Sequence, residues 1–161
     1  MSQNSLGIEL LDRELSFALR VADAADAVSL AGFTSRSFSV MRKADKSEVT
    51  EIDRATETAI TNILQAERPE HSVYGEEHGI VGLSDARYQW VIDPIDGTSN
   101  FVRGVPVWAS LIALVHDNVP VLGVVSAPAM NMRCGLMLRA MRFITEPKLV
   151  SVMLANFDER V

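Results

Sequence analysis

The stretch WVIDPIDGTSNFVRG, residues 90–104, places two aspartates three positions apart directly behind a run of apolar residues. The apolar run predicts a strand over 88–92, and Pro94 predicts that its hydrogen-bonded ladder stops there, because proline has no amide proton to donate. Side chains at the end of such a strand can project into the crevice at the carboxyl edge of a sheet, where α/β folds bind ligands. Asp93 and Asp96 would then repel each other unless a cation lies between them.

The residues that follow predict an anion site beside these two carboxylates. Gly97 permits a tight turn, and Thr98 or Ser99 is expected to cap a short helix. The backbone amides of Gly97 and Thr98 would then point outwards at the helix N-terminus, which attracts phosphate. A metal-bound phosphate would satisfy the carboxylates and the amides together. Taken alone, however, a D-P-x-D-G sequence is more often an ordinary turn.

Two further acidic features occur at the ends of predicted elements. The sequence YGEEHG, residues 74–79, places Glu76 and Glu77 behind a short predicted strand, and Asp53 lies early in a predicted helix. Each feature alone is typical of a surface loop or a solvated helix position. Their occurrence at element ends, in this order, favours a shared site. Hard oxygen ligands favour Mg²⁺, which proteins hold with a few carboxylates, waters and substrate phosphate.

Composition and charge restrict the class of protein. The 161 residues suffice for one domain, and 48% hydrophobic with 22% charged residues is typical of a globular chain. A formal net charge of -6 argues against nucleic-acid partners. The single cysteine, Cys134, excludes an internal disulfide, and neither a signal peptide nor an apolar run long enough to cross a bilayer is visible. We therefore expect a cytoplasmic protein with no membrane partner.

Periodicity predicts two helices followed by strands, which is typical of a layered α/β fold. Apolar residues at helical spacing predict helices over 8–31, ending at Gly32, and over 50–67. Strands are expected at 37–42, 71–74, 107–115 and 119–127, the last two joined as a hairpin by His116-Asp117-Asn118, and residues 79–86 are expected to form a loop.

The remaining polar and aromatic residues are expected to play structural roles or to be solvated. Three histidines lack metal-ligand spacing and are expected at the surface: His71, His78 and His116. The basic residues are expected to be scattered solvated charges, with Lys43, upstream of Asp53, as the exception: Arg20, Arg36, Arg42 and Lys43. The large aromatic residues are expected in the core: Trp90, Phe101 and Trp108.

Three stretches resemble, in the expected order, sequences of the inositol monophosphatase family: VTEIDRATE at 49–57, GEE at 75–77 and WVIDPIDGTSNFVRGVPVWASLIAL from residue 90. The resemblance runs from residue 10 to 131, and the sequence after the two aspartates is most similar to bacterial histidinol-phosphate phosphatases. It implies an α/β layered sugar-phosphatase fold, of which residues 1–131 would form the N-terminal α+β half. In that half, two N-terminal helices would pack on a mainly antiparallel sheet.

The resemblance also implies a role for each acidic residue near the sheet edge. Glu76 and Asp93, with the backbone carbonyl of Ile95, would bind one Mg²⁺. Asp93 and Asp96 would bind a second ion, and Glu77 would hold a third more weakly through water.

The same resemblance implies how a reaction would proceed. Asp53 and Thr98 would position and deprotonate the attacking water, and Glu76 counts among the catalytic residues as well as the metal ligands. The phosphate would lie against four consecutive residues, with the amides of the last two holding its oxygens: Ile95, Asp96, Gly97 and Thr98.

The implied activity is that of a Mg²⁺-dependent phosphomonoesterase acting on a small phosphorylated metabolite. Histidinol phosphate is the favoured substrate, with inositol phosphate or a related sugar phosphate second. A homodimer is a candidate assembly, because relatives tend to be dimers. The alternative is a truncated, inactive family fragment that binds metal weakly or acts as an interaction module.

The segment 132–161 departs from the family. The family's second signature, a Trp-Asp followed by Ala-Ala-Gly, supplies the remaining ligand of the second metal, and this chain has no such motif. Because the stretch FITEPKLVSVM can be read one nucleotide out of frame as the peptide the family has there, we hypothesise a frameshift near 132–134; a divergent short paralogue is the alternative. We expect at most a helix around 136–143, and open apolar edges that favour aggregation, dimerisation or degradation.

Overall fold

The structure of the chain is a computed structural model, in which residues 3–44, 47–83 and 85–137 are described. Three α-helices and eight strands lie within these ranges. In chain order they are α1 (Gln3–Ser35), β1 (Val40–Arg42), β2 (Glu48–Thr50), α2 (Glu51–Glu67), β3 (Ser72–Gly75), β4 (Gly79–Val81), β5 (Tyr88–Asp96), α3 (Thr98–Arg103), β6 (Ala109–His116), β7 (Val119–Ala127) and β8 (Met132–Met137). A short 3-10 turn, Pro128–Met130, precedes β8. None of the helices in these ranges is long and apolar enough to cross a membrane.

Six of the strands form one sheet, in the order β4-β3-β5-β6-β7-β8. β3 and β5 run parallel, every other neighbouring pair is antiparallel, and β1 and β2 form a separate hairpin. The two long helices contact each other and the central strands. The core between the helices and the sheet is apolar, and its largest fully buried members are Trp90, Ile60, Leu64, Ile112 and Leu114. The expected pair of helices on a mainly antiparallel sheet is confirmed.

The first helix extends beyond the predicted stop at Gly32 and ends at Ser35. A Cβ atom at position 32 would lie 2.7 Å from side-chain carbons of Ile52, so glycine is needed there for the close approach of α1 and α2 rather than as a helix end. The helix ends instead ahead of Arg36, whose φ of 56° lies in the left-handed region that follows the last turn of many helices.

The second helix agrees with its predicted limits because its start is encoded locally. Thr50 is the N-cap: its hydroxyl accepts from the amides of Ile52 and Asp53, while the Asp53 carboxylate accepts from the Thr50 amide. This reciprocal arrangement is a capping box, which satisfies amides that the helix itself cannot pair. The cap therefore fixes Asp53 at the start of the helix, on the same buried face as Ile60 and Leu64.

The predicted end of the ladder at Pro94 is wrong, because β5 continues to Asp96. Pro94 lies where the pairing with β6 changes register, between Asp93 and Asp96, and a central strand tolerates proline at such a bulge. The Ser110 hydroxyl of β6 donates to the Pro94 carbonyl at 2.7 Å, which holds the irregular backbone against its neighbour.

Three further segments differ from expectation. The loop expected over 79–86 begins with β4, and the strand expected over 37–42 is shortened to β1, whose partner β2 is absent from the prediction. At the start of the segment 132–161, residues 132–137 form β8, so the helix expected around 136–143 is wrong at its first two residues. The remainder of that helix and of the segment lies outside the described residues.

The hairpin of β6 and β7 and the aromatic core agree with the sequence. Asp117 and Asn118 have φ values of 48° and 64°, the positive values that a two-residue hairpin turn requires at both positions. The aromatic residues expected in the core are all buried: Trp90, Phe101 and Trp108.

One histidine contradicts the expectation of a surface position. His71 is buried, its ring stacks on Tyr88 with centroids 4.8 Å apart, and its Nδ1 lies 3.1 Å from the indole nitrogen of Trp90. Because the indole N–H can only donate, Nδ1 must be the acceptor, and the imidazole is neutral. Burial also lowers the pKa of His71, which favours the same neutral form.

Candidate metal and phosphate site

Asp93 and Asp96 lie at the end of β5 and on one side of it. Successive side chains of a strand point to opposite faces, so residues three apart would normally lie on opposite sides. Here Asp93 pairs with Leu111 and Asp96 pairs with Ala109, so three steps along β5 correspond to two steps along β6. Because β5 contains this one extra residue, a β-bulge, both aspartates point to the same side of the sheet.

The second acidic pair lies on the tight turn between β3 and β4. Residues 76–78 form this turn, which we call the acidic turn. Gly75, just before it, pairs with Ile92 of the parallel strand β5, and the amide of Glu76 donates to the Ile92 carbonyl at 3.2 Å. Since Asp93 follows Ile92 directly, the parallel pairing brings the acidic turn next to the first aspartate.

The ammonium group of Lys43 lies between the two carboxylates of the acidic turn. Its Nζ is 2.9 Å from Oε1 of Glu76 and 2.7 Å from Oε1 of Glu77. Partial burial works to lower the pKa of Lys43, but the hydrogen bonds and charges of the two glutamates outweigh it and hold the pKa above its ordinary value. Lys43 therefore acts here as a stand-in cation and marks a place where the turn accepts positive charge.

The donors fit a hard cation in their chemistry, but they do not form a closed metal cage. Carboxylates and a backbone carbonyl are the oxygen ligands that Mg²⁺ prefers. Within the three described ranges, no group of three or more Asp, Glu, His or Cys side chains converges as a metal ion would require. The Glu76 side chain is 45% exposed and that of Glu77 only 4%, so Glu76 is the more accessible carboxylate of the turn. The Ile95 carbonyl lies 3.0 Å from the Thr98 hydroxyl, whose single proton can be donated to this carbonyl or to Asp53.

The structure brings Asp53 and Thr98, to which the resemblance assigns a shared role, into contact. The Thr98 hydroxyl donates towards Oδ1 of Asp53 at 3.1 Å, while the other carboxylate oxygen accepts from the amide and hydroxyl of Thr50. Burial raises the pKa of Asp53, against the opposing effect of the hydrogen bonds from Thr50 and Thr98. Asp53 is thus a buried carboxylate, fixed by the helix cap on one side and directed at Thr98 on the other.

The predicted side-chain cap of α3 is wrong, because its N-cap is Gly97, which has no side chain to bond to the amides of the first turn. Gly97 has a φ of 90°, and a Cβ there would lie 3.2 Å from the carbonyl oxygen of Val107, so both conformation and space require glycine. The hydroxyl of Ser99 donates instead to a glutamate of β2. Since first-turn amides have no acceptor within a helix, the predicted phosphate-binding amides of Gly97 and Thr98 occupy a suitable position.

Sequence reasoning assigns no role to Glu57, which is buried beneath the acidic turn. Its exposure is 1%, and its carboxylate accepts from the amides of Glu77 and His78, each at 2.8 Å. A signal for this role is present in the sequence. Glu57 lies four residues after Asp53 and three before Ile60, on the apolar stripe of α2, where a charged group requires buried partners.

Arg36, expected to be a solvated charge, ties α1 to α3. Its guanidinium donates to the carbonyl oxygens of Phe101 and Val102, at 2.8 and 2.6 Å, near the C-terminal end of α3. A cation is favoured there because the last carbonyls of a helix lack intrahelical donors. The long helix therefore supports the short one that carries Thr98.

The helix pair on this mixed sheet, with acidic groups at the ends of β3 and β5, is the N-terminal half of the inositol monophosphatase fold. The extragenic suppressor protein suhB from Bartonella henselae matches with a TM-score of 0.78 at 25% identity, over 83% of this chain and 53% of that chain. A Thermotoga maritima IMPase matches with a TM-score of 0.75 at 30% identity, over 83% of this chain and 52% of that chain.

The chain belongs to the inositol monophosphatase family, whose model matches residues 10–150. The histidinol-phosphatase of Mycobacterium tuberculosis is 49% identical over 120 residues, covering 74% of this chain and 46% of that protein. The histidinol-phosphatase of Streptomyces coelicolor is 48% identical over 124 residues, with the same two shares. The chain thus spans about half the length of these relatives.

Proposed function

We propose that this chain carries the catalytic half-site of a Mg²⁺-dependent phosphomonoesterase. The observation that carries the proposal is that these groups lie next to one another at one edge of the sheet. Two aspartates share one side of β5, and Asp53 contacts Thr98. The acidic turn beside the aspartates already binds a positive group, the ammonium of Lys43. Membership of the inositol monophosphatase family and similarity to two histidinol-phosphatases support it.

The metal would be held by oxygen ligands from the acidic turn and from β5. These are the carboxylates of Glu76, Asp93 and Asp96 and the carbonyl of Ile95, with Glu77 contributing through water. The Lys43 ammonium would have to leave the acidic turn for the ion to bind. When bound, Mg²⁺ supplies positive charge that lowers the pKa of water and stabilises phosphate oxygens.

The remaining residues would position the water and the phosphate. Asp53 would take a proton from the attacking water, since its buried carboxylate has a raised pKa and is held by the helix cap. Thr98 would orient that water through its hydroxyl, which already contacts Asp53. The amides of Gly97 and Thr98 would hold phosphate oxygens, so the residues 95–98 would form the phosphate-facing segment.

Histidinol phosphate is the first substrate to test, because the two relatives at 49% and 48% identity are histidinol-phosphatases. Inositol phosphate or a related sugar phosphate is the second. We place the reaction in the cytoplasm, where the single buried Cys134 would stay reduced, and a second copy of the chain is the candidate partner.

The test is release of phosphate from histidinol phosphate by the purified chain, with and without Mg²⁺. Asp93→Asn should lower the rate by about 10³-fold, because it removes a charge that would hold the metal in the transition state. Asp85→Asn is the matched control, since Asp85 is an exposed aspartate in the loop before β5. Inositol 1-phosphate as a second substrate measures the preference for the leaving group.

Phosphate release that stays at background, does not depend on Mg²⁺ and is equal in the wild type and in Asp93→Asn would contradict the proposal. The chain would then be an inactive family fragment. Calorimetry with Mg²⁺ on the same samples would show whether such a fragment still binds the metal.

A further inference from the structure

The acidic turn is hydrogen-bonded to a buried carboxylate, that of Glu57, which has no role in the proposed function. Oε2 of Glu57 accepts from the Glu77 amide at 2.8 Å, and Oε1 accepts from the His78 amide at 2.8 Å. The imidazole Nδ1 of His78 lies 2.9 Å from the same Oε1. Both oxygens of one buried carboxylate are thus committed to two consecutive residues of the turn.

Gly75 supplies the space that this arrangement needs. A Cβ atom at position 75 would overlap the carboxylate of Glu57. Position 75 does not have a positive φ, so the need for glycine there is one of space and not of backbone conformation. Because Gly75 has no side chain, the Glu57 carboxylate can occupy the space beside it.

The three amides of the acidic turn are consequently all engaged. The amide of Glu76 donates to the Ile92 carbonyl of β5, and the next two donate to Glu57. Hydrogen bonds to a charged acceptor are stronger than neutral ones, and a buried carboxylate without them would carry a large desolvation cost. The backbone from which the two glutamate side chains start is therefore held on both sides, by β5 and by α2.

We propose that Glu57 is a positioning residue, which fixes the backbone of the acidic turn and thereby the place where Glu76 and Glu77 present their carboxylates to a cation. The part of this inference that concerns Mg²⁺ rests on the proposed function. The part that concerns the backbone of the turn does not, because it follows from the hydrogen bonds and from the space at Gly75.

Hydrogen exchange of the full chain, followed by NMR, tests the backbone directly. In Glu57→Ala the amides of Glu77 and His78 should exchange about 10- to 100-fold faster, the equivalent of losing a hydrogen bond to a charged group. Glu57→Gln keeps one acceptor oxygen and should protect one of the two amides. Gly75→Ala should reproduce the effect of Glu57→Ala, because its methyl group displaces the carboxylate.

Two matched controls separate this effect from general destabilisation. Glu67→Gln removes an exposed carboxylate from the same helix, and Gly123→Ala adds a methyl group in β7 where nothing lies within 4 Å. Both should leave the exchange of the Glu77 and His78 amides unchanged. Slow exchange of the Trp90 amide in every variant would show that the sheet is intact.

Calorimetry with Mg²⁺ on the same variants tests the consequence for the cation. Glu57→Ala and Gly75→Ala should weaken binding by about tenfold, in line with the effect of second-layer residues on metal affinity, and the two controls should not. Unchanged amide exchange in Glu57→Ala and Gly75→Ala would overturn the proposal, and so would rapid exchange with unchanged Mg²⁺ affinity. If the wild type bound no Mg²⁺, the proposed function would fail, while the exchange data would still decide whether Glu57 fixes the turn.

Discussion

The hydroxyl of Thr98 lies 3.1 Å from Oδ1 of Asp53, although 45 positions separate the two residues. If this contact orients a water for attack, Thr98→Val should lower the rate of phosphate release by about 10²- to 10⁴-fold, the range for general acid-base groups. Thr98→Ser keeps the hydroxyl and is the matched control. Equal rates for the valine and serine variants would exclude a role for the hydroxyl.

Lys43 and a metal ion would compete for the same carboxylates. Lys43→Gln removes the two ion pairs of a partly exposed lysine, so the Mg²⁺ dissociation constant should fall by about three- to tenfold. Arg42→Gln is the control, because it removes an exposed positive charge from the neighbouring position. Calorimetry in phosphate-free buffer measures both. Weaker binding in Lys43→Gln would mean that the lysine assists the ion instead of competing with it.

The buried imidazole of His71 predicts a loss of stability in mild acid. Burial lowers its pKa below the ordinary 6.5, so the folded chain binds fewer protons there than the unfolded chain. The stability that the neutral His71 contributes is fully present above pH 6.5, and it is lost as the pH falls through the lowered pKa of the folded state. Urea denaturation between pH 5 and 8 should show this decrease in the free energy of unfolding for the wild type and a smaller decrease for His71→Gln. Identical slopes for the two proteins would contradict the assignment.

Arg133 of β8 anchors the last described strand to the first helix. Its guanidinium donates to Asp23 at 2.6 Å, to Asp26 at 2.5 Å and to the Ser126 hydroxyl at 2.9 Å. Arg133→Met should lower the free energy of unfolding by about 1–3 kcal/mol, since it leaves a largely buried Asp26 without its cation. Arg103→Met, on the exposed side of α3, should change it far less. Equal stability of the two variants would mean that β8 is not part of the folded unit.

The features that the sequence predicts well are those encoded within a few positions. The start of α2 needs only Thr50 and Asp53, and the turn between β6 and β7 needs only Asp117 and Asn118. The pair of Asp53 with Thr98 is a long-range contact, yet it is predicted because the resemblance to a family carries that information.

The features that escape prediction depend on distant partners or on register. Glycine alone shows why: Gly32 gives room to a neighbouring helix, Gly75 gives room to a carboxylate and Gly97 adopts a positive φ. The residue type is the same at all three positions, and only the folded structure shows why glycine is needed at each. Likewise, the contacts of Arg36 with α3 arise from chain segments 65 or more positions apart, which no local pattern encodes.

The bulge in β5 ties the shared side of the two acids to an irregularity in the strand pairing and not to their spacing alone. If β5 paired with β6 without it, residues three positions apart would point to opposite faces, and Asp96 would lie on the far side of the sheet from Asp93. An interval of three residues is therefore compatible with one shared site only because the ladder is interrupted. A change that made the pairing around Pro94 regular would separate the two carboxylates without altering either of them.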